Sequence, residues 1–289
     1  MVFKMQNNHI GFIGGGNMAR SLVGGLIKAG VQTTNISIAD PVKSIRQQLG
    51  QDFGVTVSAH NNVVARKADI LVLSVKPQVL AEAISSISAS ILGRSILIIS
   101  IAAGIRMRSL ERWIGDAHAI VRVMPNTPAL IGSGISALIA NTRVSNQGKK
   151  DADLILSTAG TTVWLENESL LDTVTAVSGS GPAYFFYLME AIEAAAISEG
   201  LDPETARILV TQTALGASKL AMVSNESLTT LRERVTSPGG TTEAALKQMQ
   251  AGAVFESLQD AVHAAKRRSH ELAFILDEDL DESDDVISF

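Results

Sequence analysis

The chain of 289 residues contains no cysteine. Disulfides, thiolate nucleophiles and cysteine-bound metals are therefore excluded, and any redox chemistry has to come from a cofactor. Long apolar runs are missing too. The longest strongly apolar stretch, Ser95 to Ala103, falls well short of the roughly 20 residues that span a bilayer, and reads as a buried strand. No apolar leader precedes the first core-like run, where Lys4, Gln6, Asn7 and Asn8 stand. The expectation is a cytoplasmic protein.

A basic stripe is also lacking. The formal net charge is −5, and seven acids between Asp277 and Asp285 account for it, since the remainder carries +2. A nearly neutral body offers no track for nucleic-acid phosphates, so nucleic acid is not expected as a partner, and with no spanning apolar run neither is a membrane. The acidic end, residues 277–289, reads as a solvated, disordered tail. Histidine and carboxylate spacing shows no metal-site pattern.

What is present is core material. Hydrophobic residues make up 46% and charged residues 18%, and the length suits roughly two domains. Up to residue 165, short β-branched runs alternate with helix-like segments, the pattern of a Rossmann-type, doubly wound parallel sheet covered on both faces. The expected strands are His9–Ile13, Asn35–Asp40, Ile70–Ser74, Ser95–Ile99, Ala119–Val123, Gly134–Ile139 and Thr162–Leu165. Met18–Ala29 and Val42–Gln48 have helical periodicity, with Gly30 and Gly50 as their stops. From residue 166 to 276 the texture turns to Ala-, Leu- and Glu-rich helices, Pro182–Glu199, Pro203–Val223, Thr241–Gln250 and Val254–Leu276. Asp202 followed by Pro203 is a helix start. Several of these helices are apolar around much of their circumference, which implies a homodimer, with a larger assembly of dimers left open.

Gly14, Gly16 and Ala19 form a G-x-G-x-x-A turn after a strand and at the opening of a helix. Gly14 permits the turn, Gly16 lets the backbone approach a pyrophosphate, and the amides of the helix start, beside Asn17 and Met18, face the phosphates. The second strand ends at Asp40, 26 residues after Gly14, which completes the βαβ unit that the motif requires. Asp40 favours NADH through the ribose hydroxyls. Against this, Lys43, Ser44 and Arg46 lie just beyond to hold the 2′-phosphate of NADPH, and Asp40 has a second reading as a cap ahead of Pro41.

Four further segments, Ser74-Val75-Lys76-Pro77, Ser100-Ile101-Ala102-Ala103-Gly104, Met124-Pro125-Asn126-Thr127-Pro128 and Ser237-Pro238-Gly239-Gly240-Thr241-Thr242, with Val177 to Tyr184, make the chain resemble pyrroline-5-carboxylate reductases from Ile10 to about Leu272. Val75, Lys76, Pro77 and Ala102 would then border the cofactor at the carboxyl edge of the sheet. The resemblance also places Asn61 against the cofactor, beside its local reading as a helix cap. It implies a substrate site at Ser237, Gly239, Gly240, Thr241 and Thr242, where amides at a helix start suit a carboxylate. As an isolated motif, that segment reads as a cap with Ser237 or Thr241 as capping residue.

The resemblance implies hydride transfer from NADPH or NADH to the C=N bond of 1-pyrroline-5-carboxylate, giving L-proline, with Thr242 contacting the imine nitrogen. None of His9, His60, His118, His263 and His270 falls inside the substrate segment, which disfavours a histidine general acid. His263 and His270, with Lys266, Arg267 and Arg268, read as a solvated or interface face. Two other readings stand beside this one. A 3-hydroxyacid dehydrogenase would use a helical lysine, for which Lys219 is the candidate, and a nicotinamide-binding regulator would keep Gly14 and Gly16 without turnover.

Overall fold

A computed structural model describes the backbone of residues 8–284 and the side chains up to Ile275. The leader reading at Lys4, Gln6 and Asn7, and the last five residues of the acidic end, lie outside the described residues. Eight strands form a sheet: β1 (Ile10–Ile13), β2 (Ile36–Ala39), β3 (Thr56–Ser58), β4 (Ile70–Leu73), β5 (Leu97–Ser100), β6 (Ala119–Met124), β7 (Gly134–Ala140) and β8 (Gly160–Trp164). Their order is β3-β2-β1-β4-β5-β6-β7-β8. β1, β2, β4 and β5 are buried along their whole length, as strands covered on both faces must be. Phe12, Leu22, Leu26 and Leu156 belong to one apolar layer, and Ile13, Leu71, Leu73 and Ile84 to the other.

The doubly wound sheet expected from the sequence is present, with two differences. β7 runs antiparallel to β6, because residues 125–133 make too short a connection for the crossover that a parallel neighbour needs. β3 was not expected, since an edge strand of three residues, partly exposed, carries little apolar signal. The second helix also runs on through Gly50 to Phe53 and ends at Gly54. An interior glycine costs a helix only about 1 kcal/mol and does not stop it.

Two compact units divide the chain. One holds the residues up to Gly179 together with those from Ala265 on, and the other is Ser180–Ala264. The division falls later than the compositional change at Glu166, because Leu171 is buried with Ala137 and Ile139. In the same unit the Ser269 hydroxyl donates to Asp172 at 2.7 Å. The last helix, Val254–Asp284, continues through most of the acidic end, where a disordered tail was expected. Its end carries on a helix already established upstream, so no new nucleus is needed.

The second unit is helical, with Gly181–Ser198, Pro203–Val223, Leu228–Arg234, Thr241–Ala251 and the first part of the last helix. Asp202 caps the second of these by accepting the Thr205 N–H at 3.0 Å. Its helices expose large apolar side chains, among them Phe185, Phe186, Tyr187, Ile208 and Leu209. No helix of the described residues is long and apolar enough to cross a membrane.

Candidate active site

Strand order reverses between β1 and β4, and the carboxyl ends of β1, β2, β4 and β5 lie side by side there. A crevice at such a switch point is where open α/β sheets bind ligands. Gly14, Asp40, Ser74 and Ala102 each follow one of those strands within two residues, so topology alone gathers them.

The turn after β1 is held from three sides. Gly14 has φ +97, and a Cβ there would lie 2.8 Å from the Ser74 carbonyl oxygen. Its N–H donates to Ala39 at 2.8 Å, and the Ser74 hydroxyl bonds the Gly14 and Ile13 carbonyls at 2.8 and 3.0 Å. Gly15 is buried over Leu49 and Ile45. Gly16 differs, because its φ is −68 and a Cβ would meet nothing within 4 Å. Neither backbone conformation nor protein packing requires glycine there. Open space at the start of the helix Asn17–Lys28 is what a diphosphate lying against the backbone would need, so the turn fits a dinucleotide.

Asp40 is buried, and both carboxylate oxygens are engaged. Oδ2 accepts the Gly15 N–H at 2.9 Å and Oδ1 the Val42 N–H at 2.8 Å. The carboxylate thus ties the glycine-rich turn to the loop after β2. Arg46 Nη1 donates to the Asp40 and Pro41 carbonyls at 2.7 and 2.8 Å, which fixes its guanidinium over the same loop. Lys43 and Ser44 are exposed beside it.

Other expected residues have local partners as well. Asn61 is the first residue of its helix, His60 being the cap, and its amide donates to Ser86 at 3.0 Å. Val75 flanks Gly14, Lys76 is exposed, Pro77 opens a short helical turn, and Ala102 is buried. Asn126 bridges the Ser178 carbonyl at 3.1 Å and the Ile135 N–H at 2.9 Å. His9 and His118 precede β1 and β6 at the amino ends of their strands, away from the crevice. Burial lowers the pKa of each, with Lys67 adding to the effect at His9. His270 lines a separate cavity of about 220 Å³ with Arg122, Glu168 and Asp172, where Arg122 pairs with Glu168 at 2.5 Å. Among the described residues no group of three or more His, Asp or Glu could hold a metal.

In the helical unit, Ser237–Gly240 forms a turn that leads into the helix Thr241–Ala251, so the Ser237–Thr242 segment spans the turn and the helix start. Gly240 is the cap residue and no side chain caps the helix, so neither Ser237 nor Thr241 has the capping role. Gly239 takes the left-handed φ of +71. Its N–H donates to the Glu243 carboxylate at 2.7 Å, and the Gly240 N–H goes to the Ser237 carbonyl at 3.0 Å. The two glycine amides are therefore used internally. Thr241 and Thr242 are the first helical residues, whose N–H groups have no carbonyl one turn earlier inside the helix.

Sequence reasoning missed three participants: Gly15 under Asp40, the Ser74 hydroxyl, and Glu243. Only Glu243 carried a signal, since an acidic residue in the first turn of a helix suits the positive end of the helix dipole.

Residues 168–272 match the family model described as pyrroline-5-carboxylate reductase dimerisation, and residues 9–104 the model described as NADP oxidoreductase, coenzyme F420-dependent. A pyrroline-5-carboxylate reductase of Pseudomonas aeruginosa is 47% identical over 269 residues, covering 93% of this chain and 98% of the relative. The structure of such a reductase from Coxiella burnetii superposes with a TM-score of 0.89 at 39% identity, covering 92% and 99% of the two chains. A Plasmodium falciparum pyrroline carboxylate reductase, solved with NADP bound, gives 0.83 at 30% identity, covering 93% and 99%.

Proposed function

The chain belongs to the pyrroline-5-carboxylate reductase family, and from that premise we propose that it reduces 1-pyrroline-5-carboxylate to L-proline with NADPH or NADH. The observation that carries this reading is the pair of sites described above. One is a dinucleotide turn whose Gly16 faces open space, and the other a Ser237–Thr242 turn that offers amides and hydroxyls for a small anion.

When bound, a reduced nicotinamide would supply a hydride for the C=N carbon of the protonated imine, whose nitrogen already carries the proton it needs to become the ring amine. The chain's part is orientation and polarisation. Gly14, Gly16, Asn17 and Met18 would receive the diphosphate, and Asn61, Val75, Lys76, Pro77 and Ala102 would border the cofactor. Asp40 holds the turn in shape. Ser237, Thr241 and Thr242 hold the substrate, and the Thr242 hydroxyl bonds the imine nitrogen. Because Gly239 and Gly240 spend their N–H groups inside the turn, the carboxylate is taken by the N–H groups of Thr241 and Thr242, with the glycines shaping the loop.

The exposed apolar side chains of Gly181–Ser198 and Pro203–Val223 are covered by a second copy of the chain, since patches of that kind mark interfaces. We place the enzyme in the cytoplasm as a homodimer. The deciding experiment follows reduced-cofactor absorbance with pyrroline-5-carboxylate as substrate, using both cofactors. Oxidation dependent on that substrate is the expected result, and its absence with both cofactors would sink the reading. Light scattering should give twice the chain mass or a whole multiple of that, and a monomer would contradict the burial argument.

A further inference from the structure

The Ser237–Thr242 turn contains a contact that its proposed role does not require. Glu243, on the helix that follows, reaches back to accept the Gly239 N–H through Oε2 at 2.7 Å, while its Oε1 lies 3.1 Å from Lys247 Nζ. Gly239 sits at φ +71, a conformation that a glycine holds only if something selects it from the many others open to it. A second carboxylate so close to a site for an anionic substrate would repel that substrate if its charge stood alone. Lys247, one helical turn further on, balances it.

We propose that Glu243 is a positioning residue for substrate capture, clamping the turn through Gly239 while Lys247 offsets its charge. This rests on the reading of Ser237–Thr242 as the substrate site. The Gly239 N–H and then Lys247 lower the pKa of the carboxylate below its ordinary value. The clamp is therefore in place throughout the neutral range.

The test is steady-state kinetics of the full-length enzyme with pyrroline-5-carboxylate varied at low and high salt, together with cofactor affinity from fluorescence. Glu243→Ala should raise KM about three- to tenfold, the range that one exposed hydrogen bond supports, with kcat and cofactor affinity nearly unchanged. Glu243→Gln keeps an acceptor for Gly239 and should restore most of the loss. Lys247→Met should raise KM at low salt and much less at high salt. Wild-type KM in Glu243→Ala, or a Glu243→Gln as impaired as the alanine variant, overturns the clamp. Wild-type enzyme that fails to reduce pyrroline-5-carboxylate overturns the functional reading beneath it, a different and separately visible result.

Discussion

The Asp40 carboxylate accepts the backbone N–H of Gly15 at 2.9 Å, across a separation of 25 residues. With its other oxygen on the Val42 N–H, one buried side chain joins the glycine-rich turn after β1 to the loop after β2. Asn at this position offers one acceptor oxygen and sets an NH₂ group against an N–H donor. Asp40→Asn should therefore lower stability by about 1–3 kcal/mol, the cost of a buried polar group left unpaired. Thermal unfolding would measure it, and cofactor affinity should fall in parallel as the Gly14–Gly16 turn loosens. An unchanged Tm would mean that the two hydrogen bonds contribute nothing net.

Gly16 makes the complementary case. Its φ of −68 suits any residue, and a Cβ would touch no protein atom within 4 Å. Gly16→Val should fold with near wild-type stability and lose most of its affinity for NADPH and NADH, because the added methyls occupy the space left for the diphosphate. Fluorescence titration of reduced cofactor beside a thermal melt separates the two effects. Full affinity in the folded variant would remove Gly16 from the cofactor site.

Much of this was legible in the residues themselves. Seven of the eight strands announce themselves as short β-branched runs, and the G-x-G-x-x-A turn fixes where the first helix begins. β3 escaped because a partly exposed edge strand of three residues has almost no apolar pattern. The direction of β7 depends on connection length, which periodicity does not carry. Gly50 shows that glycine is an ambiguous stop, since the helix absorbs it and ends at Gly54. The least legible facts were long-range partners. Asp40 was a ribose ligand or a cap on sequence grounds, and its bond to Gly15 comes from β1 and β2 being neighbours in the sheet. The same holds for Ser74, whose hydroxyl reaches Gly14 only because β4 flanks β1.

His9 gives the fold a pH dependence remote from the site. Its Nε2 lies 2.9 Å from the Ser37 hydroxyl, and burial, then Lys67, lower its pKa below the usual 6.5 against a smaller opposing effect of Asp69. The unfolded chain therefore binds this proton at higher pH than the folded chain. The stability contributed by neutral His9 is complete above 6.5 and is lost as the pH falls through the lower, folded value. Thermal melts across that window should show a shallower decline for His9→Gln than for wild type. Equal slopes would assign the decline to other groups.

Thr242 carries the most specific chemical claim. It is the second residue of the helix Thr241–Ala251 and is half-buried at the edge of the turn. If its hydroxyl bonds the substrate nitrogen, it favours the protonated imine that accepts hydride, and its removal weakens the transition state more than the ground state. One hydrogen bond to a charged group is worth roughly 1.5–3 kcal/mol, so Thr242→Ala should lower kcat about ten- to hundredfold with cofactor affinity unchanged. Thr242→Ser keeps the hydroxyl and should recover much of the rate. A purely structural role makes the opposite forecast. Alanine is the better helix former, so Thr242→Ala would then turn over normally. Kinetics with saturating cofactor and varied substrate decide between them. Wild-type kcat and KM in Thr242→Ala would leave anion binding as the turn's remaining role, with the N–H groups of Thr241 and residue 242 as its donors.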